Sequence, residues 1–139
     1  MGVRREGREA AVQFLYQRDL GGDEERVAYY KMRGISPSAR RFCDEILDGL
    51  AASAEAVDGL IRENARNYEF NRLSAVDRNV LRVAVWEMMN CPGTPPAVSI
   101  NEAIEVAKKY STSDSGRFVN GVLDKIRAGL QRPPSAEVD

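Results

Sequence analysis

With 139 residues, 43% of them hydrophobic, the chain can form one ordinary domain with a core and is too apolar to be mostly disordered. Its 20 basic and 21 acidic side chains leave a formal net charge of −1, so attraction to a polyanion must come from a local patch rather than a whole-molecule field. There is no histidine, which excludes Ser-His-Asp and Cys-His catalysis and imidazole zinc sites.

The start carries too much charge for a signal peptide, and no apolar run is long enough to span a membrane. The cytoplasm is the expected location, and no membrane partner is expected. Period-3.6 apolar patterns dominate, with no convincing alternation of period 2, so the fold class is all-α with about seven helices. The first helix places Ala11, Val12 and Leu15 on one face, and Gly21-Gly22 stops it. Asp23 is the expected cap of a short second helix bearing Val27 and Tyr30.

Ser36-Pro37 is an N-cap followed by proline at the first helical position, opening a helix to about Gly49–Ala52. Cys43 sits in its stripe of Phe42, Ile46, Leu47 and Leu50 and reads as a small core residue. A further helix carries Val57, Leu60 and Ile61 and fades near Asn67. Ser74-Ala75-Val76-Asp77 reads as a capping box with Asp in place of Glu, leading into the most apolar helix of the chain.

NCPGTPP breaks that helix. Ser99-Ile100-Asn101-Glu102 then reads as a full capping box for a helix bearing Ala103, Ile104 and Ala107. The last helix starts within STSDS and buries Val119, Val122, Leu123 and Ile126. One domain over 1–130 is expected, with a seam between Asn64 and Leu73 and a frayed tail over 131–139.

Two clusters carry candidate chemistry. Arg4, Arg5 and Arg8 open the first helix, where the helix dipole disfavours cations. At 100° per residue they extend the core-facing stripe, so the helix is expected to overhang the bundle edge there. Either this is an exposed start with scattered charge, or the guanidinium groups are placed to meet phosphates. The second cluster is STSDSGRFVNG. Arg117 beside Phe118 is a pairing used for single-stranded RNA, since bases stack on rings and phosphates pair with arginine. The alternative is that Phe118 is core and Asp114 a cap. Gly121 inside this helix suggests close approach by another helix or a ligand. No catalytic set, metal site or cofactor motif emerges, so neither an enzyme nor a cofactor is expected.

The stretches RREGREAAVQFLYQRDL, SAVDRNVLRVAVWEM and AVSINEAIEVAKKYSTSDSGRFVNGVLDKI give the chain a resemblance to the NusB family of bacterial transcription antitermination factors. The resemblance implies two packed three-helix sub-bundles, roughly 1–70 and 71–130. It implies binding to the boxA segment of nascent ribosomal RNA as a heterodimer with NusE, a protein of the small ribosomal subunit. RNA polymerase and other Nus factors are the implied further partners, and suppression of premature termination the implied outcome.

By the same resemblance, RNA contacts fall on Arg4, Arg5, Arg8, Asp114, Arg117 and Phe118, and NusE contacts on Tyr16 and Asp77. Glu6 and Gly7 interrupt the arginine run, which implies weaker RNA binding or more reliance on NusE. Monomer and homodimer both stay open. The rival reading is a NusB-like helical adaptor related to the N-terminal domain of ribosomal RNA cytosine methyltransferases, without activity of its own. A third is a structural adaptor with no nucleic-acid role.

Overall fold

The computed structural model describes residues 2–65 and 73–130. Among them lie six helices and no strand: α1 (Val3–Asp19), α2 (Arg26–Arg33), α3 (Pro37–Asn64), α4 (Ala75–Asn90), α5 (Pro96–Tyr110) and α6 (Ser113–Leu130). The seventh expected helix is the second half of α3. The break expected after Ala52 is a kink at Ser53 (φ −128°, ψ 22°), whose hydroxyl donates to the Gly49 carbonyl at 2.7 Å. A serine bonded back to the preceding turn bends a helix without ending it. Most of the expected seam (66–72) and the tail (131–139) lie outside the described residues.

Local signals set several boundaries. Ser36 accepts the Ala39 amide and starts α3, and Ser74 accepts the Asp77 amide at 3.1 Å and starts α4. Gly21, at φ +93°, follows the end of α1 in a conformation that favours glycine. Two expected caps do not form. α2 begins after Glu25 and not on Asp23. α5 begins at Pro96, so Ser99 and Glu102 lie inside the helix, and proline at its first position is compatible because that N–H is unused.

Helix α4 is enclosed by α1, α3, α5 and α6, and Val80, Leu81, Val83, Ala84, Val85 and Trp86 are all buried. Phe14 of α1 packs edge-on against Tyr29 of α2, and Cys43 is fully buried beside them in the core. α1 crosses α3 at Gly7, where a Cβ would stand 2.9 Å from the Phe42 ring and 3.1 Å from the Ala39 carbonyl. Glu6 turns toward the start of α3 and accepts from both the amide and the hydroxyl of Ser36, each at 3.0 Å. A carboxylate there complements the positive helix end. The interruption of the arginine run is therefore imposed by the α1–α3 crossing.

The cross-links fix helix directions. Asp19 at the end of α1 accepts from Arg78 and Asn79 at the start of α4, both at 3.0 Å, so those helices are antiparallel. Arg5, Glu9 and Gln13 meet Glu102, Lys109 and Tyr110 in the same order, so α1 and α5 run parallel. The bundle thus has two ends. One holds the starts of α1 and α5, and the other the starts of α4 and α6.

Candidate nucleic-acid and partner interfaces

At the first end, the expectation of an overhanging arginine edge is corrected for Arg8. Its side chain lies inside, 8% exposed, against that of Glu87 of α4, which is 1% exposed. Arg8 Nε donates to Glu87 Oε1 at 2.9 Å and Nη2 to Oε2 at 2.5 Å. A buried guanidinium needs such a bidentate partner, since an unpaired charge there is very costly. The lone acid in the apolar run VLRVAVWEMM was the available signal for Glu87.

Arg5 is half exposed and forks onto Glu102, Nε to Oε1 at 2.9 Å and Nη2 to Oε2 at 2.6 Å. Arg8 Nη1 also reaches Glu102 Oε1 at 3.4 Å. The Arg5 hydrogen bonds hold the Glu102 carboxyl below the usual carboxylate range. Arg4 is exposed and lies over the Phe42 ring, 4.9 Å from its centre, while donating to Thr94 Oγ1 at 3.3 Å. The arginines tolerate a helix N-terminus because acids and an aromatic face on α3, α4 and α5 receive them.

At the other end, Thr112 caps α6 by accepting the Ser115 amide at 3.1 Å. Asp114, the alternative cap, instead pairs with Arg117 one turn on, and both side chains are largely exposed. Phe118 is half-buried and packs on the edge of the core, so it is neither a full core residue nor a wholly free ring. It lines a cavity of about 320 Å³ with Asp77, Thr112, Asp114 and Ser115. Gly121 is exposed, and no atom of the described residues outside its own helix turn lies within 4 Å of where its Cβ would be. Of the two expectations for Gly121, another helix or a ligand, close approach by a helix is not found among the described residues.

Asp77 is buried, and the expected capping box is half-formed, with its amide bound to the Ser74 hydroxyl. Its Oδ2 accepts from the Ser115 hydroxyl at 3.3 Å, tying the start of α4 to the start of α6, while Oδ1 has no hydrogen-bond partner among the described residues. Burial pushes its pKa up, against the opposing effect of the Ser115 and Ser74 hydroxyls. Tyr16, 37% exposed, lines a second cavity of about 320 Å³ with Val12, Val76 and Tyr110. Tyr16 and Asp77 thus share one end of the bundle with the α6 cluster. The arginines stand toward the other, about 12–18 Å from Tyr16 along α1.

A polar chain missed from the sequence also clamps α1. Tyr29 donates to Gln13, Gln13 to the Tyr110 hydroxyl, and both Tyr110 and Lys109 to Glu9. Among the described residues no group of His, Cys, Asp or Glu could hold a metal ion. Burial pushes the Cys43 thiol up to about 11, the opposite of an activated nucleophile.

Comparison with known proteins adds to this geometry. The NusB family pattern matches residues 5–128. The chain is 44% identical to the transcription antitermination protein NusB of Sorangium cellulosum, covering 95% of this chain and 96% of that one. It is 36% identical to that of Myxococcus xanthus, covering 96% and 100%. Among solved structures, T. maritima NusB superposes with a TM-score of 0.81 at 34% identity, covering 97% of this chain and 96% of that one. NusB in a complex of antitermination factors NusB and NusE with dsRNA gives 0.83 at 27%, covering 93% and 98%. With sequence and fold agreeing over nearly its full length, the chain belongs to the NusB family.

Proposed function

We propose that the chain is a transcription antitermination factor. It binds boxA RNA of nascent ribosomal transcripts together with NusE and, joined to RNA polymerase and other Nus factors, suppresses premature termination. The observation that carries the reading is the close match to the NusB solved with NusE and dsRNA. The reading needs no catalytic group. Among the described residues no helix is long and apolar enough to cross a membrane.

In this reading RNA runs between the two ends of the bundle. Arg4 and Arg5 meet phosphates at one end, and Arg117 and Phe118 take a phosphate and an unpaired base at the other. Arg8 serves the site from within, holding the start of α1 on α4 so that Arg4 and Arg5 project together. Tyr16 presents an exposed ring to NusE. Asp77 supports that surface from below, through its tie to Ser115. Titration of a labelled boxA RNA and a scrambled RNA with the full chain, with and without NusE, over a range of salt tests the reading. Preference for boxA, tightening with NusE and a steep salt dependence are expected. Equal, salt-insensitive affinity for both RNAs would overturn it.

A further inference from the structure

We propose that Glu102 is a resident competitor for phosphate, which holds the affinity of the isolated chain for RNA of any sequence below what its arginines alone would give. This rests on the reading that Arg4 and Arg5 meet RNA. Arg5 has five N–H donors in a planar fork, and Glu102 occupies Nε and one Nη2 hydrogen. The charges of Arg8 and Arg5 are balanced by the carboxylates bonded to them, Glu87 and Glu102. A phosphate approaching the outer donors of Arg5 therefore meets a carboxylate directly behind it, whereas the nearby Glu9 and Glu105 are paired with Lys109 and Lys108.

The other roles open to Glu102 are already filled or are worth little. It is not a cap, because α5 begins at Pro96. α1 is fastened to α4 by the buried Arg8–Glu87 pair and to α5 by Glu9 with Lys109 and Tyr110. The Arg5–Glu102 fork, half exposed at Arg5 and 15% exposed at Glu102, adds only a further fastening to helices that these contacts already hold. What remains is its charge. A unit charge about 7 Å from a phosphate in a water-like dielectric changes affinity about threefold. Because it acts on phosphates, it acts on every sequence alike and leaves discrimination to base contacts and to the partner.

The test is Glu102→Gln in the full chain, which keeps an acceptor for Arg5 and removes the charge. Labelled boxA RNA and a scrambled RNA of the same length should both bind about threefold tighter at low salt, with the gain fading at high salt. The salt slope should steepen by less than the about 0.7 that one added phosphate contact gives on a single strand. Glu105→Gln, one turn along and not bonded to Arg5, should give a smaller gain. Weaker or unchanged binding in Glu102→Gln, or an equal gain from Glu105→Gln, would overturn the inference. In the unmutated chain, the Arg5 Nε–H resonance should move on addition of boxA RNA as phosphate takes the outer donors of the same guanidinium. No movement at saturation would also overturn it. If Arg4→Ala and Arg5→Ala leave RNA affinity untouched, the arginine site itself fails. If they weaken binding while Glu102→Gln fails to tighten it, only the competitor fails.

Discussion

Arg8 and Arg117 stand at opposite ends of one bundle, and both have a carboxylate partner, but they are different objects. The Arg8 side chain is 8% exposed and faces a Glu87 side chain at 1%, whereas Arg117 and Asp114 are 75% and 82% exposed. At the Arg8 end the ion pair is part of the core, and its integrity is a matter of stability. At the Arg117 end water screens the pair, and either member can exchange its partner for another ion at small cost. One type of cation at a helix start thus does structural work where it is buried and stays available for binding where it is not.

Arg8→Ala gives the sharpest break in that comparison. It strands Glu87 as a buried charge, so it should cost about 3–5 kcal/mol of folding stability, measured by urea denaturation. Arg117→Ala should cost at most about 1 kcal/mol. Equal losses would mean that Glu87 finds water or another donor, and that the Arg8 end is no more structural than the other.

The next largest effect is expected at Phe118. A stacked base is worth about 1–3 kcal/mol by alanine substitution, while truncating a buried core phenylalanine costs about 3–5 kcal/mol of stability. Half-buried Phe118 should fall between these roles. In Phe118→Ala, RNA affinity should drop by the stacking amount, and the melting temperature should fall less than in Phe42→Ala, since Phe42 is 7% exposed. Unfolding without any RNA-specific loss would make this ring core and confine the RNA surface to the arginines.

What could be read from the sequence divides along similar lines. The all-helical class, the Ser36 and Ser74 caps and the stop at Gly21 were legible, because each depends on residues a few positions apart. The Ser99–Glu102 box has the right spacing for a cap, yet Glu102 is taken by Arg5, 97 positions away. The burial of Arg8 depends on Glu87, 79 positions away, and helical periodicity could place Arg8 on the core side without showing what it would meet. Gly7 and Glu6 looked like gaps in a basic patch until the α3 crossing gave each a local task. The α6 cluster was read with both alternatives open, and its half-buried ring is neither a full core residue nor a wholly exposed one.

Asp77 offers a smaller effect with a defined sign in pH. Burial raises its folded-state pKa above the unfolded value, so the folded protein binds the proton more readily. Its contribution is greatest below the ordinary carboxylate value and declines as pH rises to the raised one, beyond which it is flat. Asp77→Asn should remove that decline when urea midpoints are compared across the acid range. If NusE affinity falls in the same variant without a change in melting temperature, the Ser115 tie serves the partner surface. A lower melting temperature with intact affinity would leave Asp77 a purely structural post.

The smallest effect tests the exposed end on its own terms. Asp114 pairs with Arg117 and does not cap α6, since Thr112 already holds the Ser115 amide. Asp114→Asn should therefore leave stability within about 0.5 kcal/mol. It should also free Arg117 for phosphate and remove a like charge from the RNA path. Affinity for boxA RNA should rise by no more than about 1 kcal/mol at low salt, and the gain should shrink as ionic strength increases, because both groups are bathed in solvent. The sign is what matters. Tighter binding makes Asp114 a counter-ion that RNA displaces, whereas weaker binding makes its carboxylate an acceptor for a base. The second outcome would give the exposed end of the bundle a direct hand in sequence recognition rather than a purely electrostatic role.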